Sequence, residues 1–292
     1  EFLQLKNTIS ENDNIRTNSI EAWILAARPK TLTGASVPVM IGVALAIKTA
    51  QWNSSLILPA ILCFIFAFLM QIDSNLINDY FDCIHGNDDT STRLGPKRAC
   101  AEGWITLPVM RRGLVVVSLA ACCFGLPLIF YGGWEMVIVG ALCVLFAFLY
   151  TTFFSYKGLG DLLVLIFFGI VPVYFTWWVC VPEELQQFNP TILGCGIACG
   201  LVIDTLLLVN NYRDRDNDKR DGKMTLVVRI GIRNTEKLYL YLPTVAEIIV
   251  FLCLATAMQL TILEVVIFLA LASLYFIPHS KTTKKLIAIK KG

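Results

Sequence analysis

The chain carries repeated stretches of about twenty residues with almost no charge, and such blocks leave a polypeptide few options. A helix rises ~1.5 Å per residue, so about 20 residues cross the ~30 Å hydrocarbon layer of a bilayer. In lipid a lone spanning segment must satisfy its own backbone groups, which makes each block a helix. Eight blocks run near 31–49, 56–78, 113–131, 134–154, 159–181, 191–212, 238–257 and 261–277. Of the 292 residues 56% are hydrophobic and 16% are charged, against about a quarter charged in soluble domains. The expected fold is therefore all-α, a polytopic transmembrane helix bundle of about eight spans.

The connections sort by charge. One set holds Arg28, Lys30, Arg93, Lys97, Arg98, Arg111, Arg112 and Lys157, then the seven Arg and Lys residues from Arg213 to Arg233, then the lysines after the last block. The opposite set holds little beyond Lys48, the Gly132–Gly133 turn and the acidic stretch around Glu183 and Glu184. The positive-inside rule places the first set, with both termini, in the cytoplasm, as for a multi-pass protein of a bacterial inner membrane. A net charge of +2 gives no reason to expect a nucleic-acid partner. The polar stretch 1–20 reads as a disordered tail and 21–292 as one transmembrane domain, its first apolar helix directing insertion. Most of the ten cysteines lie inside apolar blocks with no paired CxxC, which marks them as packing residues.

Two polar constellations stand out. Asn75, Asn78, Asp79 and Asp82 share one helical face at the end of the second block, and the loop beyond adds Asp88, Asp89, Arg93 and Arg98. Polar groups interrupting an apolar block are expensive and usually functional, which argues against a merely solvated loop. Asn210, Asn211, Arg213, Asp214, Asp218, Asp221 and Lys223 repeat the pattern after the sixth block, so two helix-pair halves facing each other are expected. Carboxylate and amide oxygens suit Mg²⁺, which commonly also takes substrate phosphates. Carboxylates alone would repel a phosphate, whereas metal plus Arg and Lys would hold a polyanion between the two clusters. In a membrane that polyanion is a lipid diphosphate, and loss of diphosphate would leave an allylic cation. A cation-coupled transporter is the competing class, but its carboxylates should lie near the midplane.

The stretches AWILAARPKTLTGASVPVMIGVALA (22–46), QIDSNLINDYFDCIHGNDDTSTRLGPKR (71–98), YKGLGD (156–161) and NNYRDRDNDKRDGKMTLVVRIG (210–231) resemble the UbiA superfamily of intramembrane aromatic prenyltransferases. Within it they are most similar to members acting on 1,4-dihydroxy-2-naphthoate. The resemblance implies nine spans around a cavity open sideways to lipid, with polyprenyl diphosphate and an aromatic acid acceptor as substrates and Mg²⁺ as cofactor. The acceptor is expected to be 1,4-dihydroxy-2-naphthoate, losing its carboxylate to give demethylmenaquinone; 4-hydroxybenzoate or homogentisate is the alternative. The family motifs carry onto Asn78, Asp79, Asp82, Asp214 and Asp218 as the metal set. Asn75, Asn78, Arg93, Arg98, Asn211, Lys223 and Tyr150 are expected to bind diphosphate. Asp79, Asp82, Asp214, Asp218 and Lys157 are the expected catalytic set. Where the family often has a further aspartate this chain has Gly86, with Asp88 as substitute, and its YxxxK element is replaced by Tyr150, Tyr156 and Lys157. The sequence stops after KKLIAIKKG, where a ninth helix is expected.

His85 is expected in loop structure and His279 at the membrane interface. Trp52, Trp134, Trp177 and Trp178 read as interface anchors. Phe167, Phe168, Tyr174 and Phe175 read as helix packing or as the lining of a cavity that shields a cation.

Overall fold

The computed structural model describes residues 15–86, 95–257 and 261–289. Eight helical segments are long and apolar enough to cross a membrane: α1 Ile20–Ala50, α2 Ser54–His85, α3 Leu107–Gly132, α4 Glu135–Lys157, α5 Gly160–Cys180, α6 Pro190–Arg220, α7 Ile232–Ala257 and α8 Ile262–Ala288. No strand occurs among the described residues. The short helix Leu226–Ile230 links α6 to α7. In space α2 packs on α1, α3 and α4, while α6 packs on α5 and α7, and α1 lies against α5.

Both motif helices outrun their apolar blocks. α2 continues to His85 and α6 to Arg220, so Asp79, Asp82, Asp214 and Asp218 stand on helices, as their spacing suggests, and His85, expected in loop structure, is the last residue of α2. Tertiary partners explain the extension. The backbone N–H groups of Ala99 and Cys100 donate to the two oxygens of Asp79, at 2.8 and 2.9 Å, which fastens the 95–106 segment over the end of α2. Trp104 and Ile105 of that segment then enter a core with Ala22, Ala26, Leu76, Ile77 and Met110. Of the stretch expected as a tail, the described residues Asn18 and Ser19 make contacts with the folded domain. Asn18 N–H donates to Trp104 O, Thr106 N–H donates to Asn18 Oδ1, and Ser19 caps α1.

Small residues set the close approaches. A Cβ on Gly169 of α5 would lie 2.5 Å from Gly196 O and Gly200 Cα of α6, and one on Gly42 of α1 would lie 2.7 Å from Val173 O. Membrane helices associate by such packing, since lipid offers no hydrophobic drive between them. Gly169 lies within a π-turn of α5 at Leu165–Ile170, and α4 carries another at Tyr150–Phe154, a distortion often found at functional sites.

Two further expectations are corrected. Trp177 is not an interface anchor: it is 1% exposed in the core, its Nε1–H donating to Thr49 Oγ1. His279 is buried between α7 and α8, with Nε2 2.9 Å from Tyr239 O and its ring stacked on Tyr275. Trp52 and Trp134 are exposed.

Candidate active site

A cavity of about 1400 Å³ runs through the centre of the bundle. At one end it is lined by Asn75, Asn78, Asp82 and Arg98 from the first motif and by Asn211, Arg213, Asp214, Asp218 and Lys223 from the second. Toward the other end its walls are apolar, with Phe66, Val139, Gly140, Phe167 and Val179 among the lining residues. Along α2 the lining extends from Asp82 to Cys63, 19 residues or ~28 Å of helix.

Two cations meet at Asp82 of α2, one from the segment after α2 and one from the turn after α6. Lys223 Nζ donates to Asp82 Oδ1 at 2.6 Å, and Arg98 Nη2 donates to Asp82 Oδ2 at 3.3 Å. Arg213 grips Asp214 with Nε and Nη2 at 2.8 and 2.6 Å, a two-point pairing. Gly95 packs against that guanidinium, since a Cβ there would lie 2.7 Å from Arg213 Nη2. Thr151 Oγ1 donates to Asn78 Oδ1 at 2.6 Å, tying the π-turn of α4 to the first motif.

Not every expected residue reaches the cavity. Asp79 is buried and turned away, both oxygens occupied by backbone donors of the 95–106 segment; its place is that of a group holding the cap. Lys157 also points elsewhere, its ammonium 3.9 Å from the centroid of the Phe153 ring. Asn75 lines the cavity, yet its amide is spent on Ala27 O and Thr31 Oγ1. Those bonds hold the break in α1 at Pro29–Thr31. Arg93, Asp88 and Asp89 lie outside the described residues.

Arg28 and Lys30 line the cavity although their charges read as an orientation signal. Arg28 adopts φ 52° and ψ 68° just before Pro29, a left-handed conformation rare for a side-chain-bearing residue and a recurrent mark of functional segments. The sequence offers one clue, the charged pair flanking a proline between two apolar helices.

Among the described residues no three Asp, Glu, His or Cys side chains are clustered to cage a metal by themselves. The donor set still suits Mg²⁺, which binds through one or two carboxylates together with substrate phosphates. Asp218 Oδ2 is buried without a hydrogen-bond partner and faces the same cavity as Asp82 and Asp214.

The fold agrees with that of known proteins. The chain is 36% identical over 229 residues to the 1,4-dihydroxy-2-naphthoate octaprenyltransferase of Escherichia coli (strain K12), covering 74% of this chain and 71% of that one. It is 34% identical over 245 residues to the protein of the same name from Mycobacterium tuberculosis, covering 82% and 80%. A UbiA homolog from Archaeoglobus fulgidus, solved bound to GPP and Mg²⁺, has the same fold with a TM-score of 0.60 at 14% identity, over 91% of this chain and 97% of that one. A digeranylgeranylglyceryl phosphate synthase matches with a TM-score of 0.59 at 19% identity, over 93% and 94%. The profile of the UbiA prenyltransferase family matches residues 35–286, and the chain therefore belongs to that family of membrane proteins.

Proposed function

We propose that the chain transfers a polyprenyl group from its diphosphate to 1,4-dihydroxy-2-naphthoate, with loss of the ring carboxylate, in menaquinone biosynthesis. The observation that carries this reading is a single cavity joining a charged end, built from α2 and α6, to a long apolar wall. The names of the relatives supply the acceptor. A transporter is not favoured, because the charged groups gather at one end of the bundle and the family is enzymatic.

In this reading Arg98, Arg213 and Lys223 hold the diphosphate. Asn78, Asp82, Asp214 and Asp218 would hold Mg²⁺, which when bound neutralises the leaving group and assists its departure. Fixed charges aimed at the departing group stabilise the transition state more than the ground state. Phe146 and Phe167, with ring centroids 5.1 Å apart, border the route of the prenyl chain and offer π faces to the developing cation while keeping water out. The site end of the bundle faces the cytoplasm of a bacterial inner membrane in this assignment, as the charge asymmetry requires.

The test is mass spectrometry of products formed by the full chain in lipid vesicles, supplied with Mg²⁺, several polyprenyl diphosphates and a mixture of aromatic acids. Prenylated naphthoquinol with one CO₂ released per transfer is expected. Preferred turnover of 4-hydroxybenzoate without CO₂ would move the assignment to another acceptor.

A further inference from the structure

The YKGLGD segment at 156–161 is unused by the site as described, yet it closes a second chamber. A recess of about 20 Å³, enough for one water, is lined by Tyr150, Ser155, Gly160, Asp161, Asn211 and Thr225. Tyr150, Ser155, Asn211 and Thr225 also line the main cavity, so these four form the partition between the two spaces. Asp161 belongs to the recess alone, and its Oδ1 is buried without a hydrogen-bond partner. An unsatisfied buried carboxylate oxygen is costly and calls for an explanation. The surrounding geometry is fixed deliberately. Gly158 takes φ +69°, where a Cβ would lie 2.6 Å from Met224 O, and Met224 N–H donates to Tyr156 O. The turn thus holds Thr225 as one wall and the start of α5, with Asp161, as another.

We propose that Asp161 is the proton acceptor for the aromatic substrate, reached from the main cavity through Tyr150 and a recess water. This rests on the acceptor reading above. The acceptor hydroxyl loses its proton to the Tyr150 oxygen as the Tyr150 proton passes through the water to Asp161. The electron pair of the broken O–H bond is pushed into the ring, whose carboxylate-bearing carbon bonds to prenyl C1 as the C1–oxygen bond to diphosphate breaks. Loss of CO₂ from that carbon restores the aromatic ring and leaves a pair on the oxygen, which takes its proton back from Asp161 through the water and Tyr150. Asp161 acts through Tyr150 and the water without touching substrate, so it is a positioning and relay residue. The ionisable groups around it are Tyr150 of α4 and Asp204 of α6. Asp204 is itself 6% exposed with an unpartnered oxygen.

The experiment compares wild type, Asp161→Asn and Asp161→Glu, each as the full chain in phosphatidylethanolamine and phosphatidylglycerol vesicles with Mg²⁺. Prenyl transfer to 1,4-dihydroxy-2-naphthoate is followed from about pH 6 to 9, alongside binding of geranyl diphosphate by equilibrium dialysis. Loss of a general base is expected to lower kcat of Asp161→Asn by ~10² or more at neutral pH. The deficit should shrink as pH rises and the substrate ionises in solution, with geranyl diphosphate affinity unchanged and Asp161→Glu largely active. A pH-independent deficit, weakened geranyl diphosphate binding, or wild-type rates for Asp161→Asn would each overturn the proposal while leaving the function intact. A wild-type chain that prenylates no aromatic acid would instead remove the acceptor reading, and this proposal with it.

Discussion

Lys223 and Asp82, 141 positions apart in sequence, meet at 2.6 Å across the mouth of the cavity, each side chain largely shielded from solvent. The pair ties the turn after α6 to α2 without any ligand, and it sets a cation of the second motif against a carboxylate of the first. Shielded pairs of this kind contribute specificity of arrangement more than net stability, because desolvation offsets much of the attraction. Their consequence is geometric: the cation that would meet diphosphate is held beside the carboxylate that would meet metal.

Lys223→Gln should therefore damage donor binding more than folding. A rise of tenfold or more in KM for the polyprenyl diphosphate is expected, with a fall in kcat/KM of ~10² or more as a charge facing the leaving group is lost. Lys223→Arg should recover part of this. Steady-state kinetics in vesicles, read beside thermal unfolding in detergent, separates the two effects. A loss confined to unfolding temperature would show a purely structural pair.

Asp79 and Asp82 should part company in the same assays. Asp79 accepts two backbone hydrogen bonds from the 95–106 segment, and Asn can present only one acceptor oxygen while turning an N–H toward the other donor. A buried donor left unsatisfied costs ~1–3 kcal/mol, so Asp79→Asn should lower the unfolding temperature and loosen the cap. Limited proteolysis between residues 95 and 106 would report that loosening. Asp82→Asn strips the shielded counter-charge from Lys223 and Arg98 and so should also cost stability, but unlike Asp79→Asn it should abolish most transfer by the folded protein.

The contrast between these neighbours shows where sequence reasoning reaches its limit. Apolar block length was enough to place eight helices, since the bilayer requires little else, and the spacing of Asp82, Asp214 and Asp218 was enough to gather them at one cavity. Spacing could not tell Asp79 from Asp82. Which face of α2 meets the cavity depends on a cap 20 residues further on, whose backbone donors carry no side-chain signal. The position of Lys157 outside the cavity was hidden for a similar reason: the ring that holds its ammonium, Phe153, is one apolar residue among many. Arg28 was legible only as charge, because its left-handed turn is a backbone fact.

Lys157→Met should change kcat/KM by less than about threefold, since the ammonium sits over Phe153 outside the cavity. Arg28→Ala should cost more than tenfold in kcat/KM with a polyprenyl diphosphate, because Arg28 lines the cavity. Parallel kinetics on the two variants decides between the sequence expectation for Lys157 and the observed geometry. A larger loss at Lys157 than at Arg28 would contradict the placement of both.

The last prediction concerns the clamp as a whole. Asp82 stands on α2 and Asp214 and Asp218 stand on α6, so a diphosphate bridged through Mg²⁺ needs both helices, and neither cluster can suffice alone. Asp82→Asn, Asp214→Asn and Asp218→Asn each keep side-chain size and one oxygen while removing a negative charge. Each should lower single-turnover prenyl transfer by ~10² or more, as expected for loss of a group acting on the leaving diphosphate. Asp214→Asn also frees the Arg213 fork that now grips both Asp214 oxygens, so its donor affinity should fall less than its rate. Raising Mg²⁺ should restore only part of each rate, because the position of the ligand is damaged along with its charge. The double variant Asp82→Asn with Asp214→Asn should be little worse than either single one, since residues that act as a unit are not additive. Single-turnover measurements across a Mg²⁺ titration test all of this, and multiplying losses in the double variant would mean two independent sites in place of one clamp.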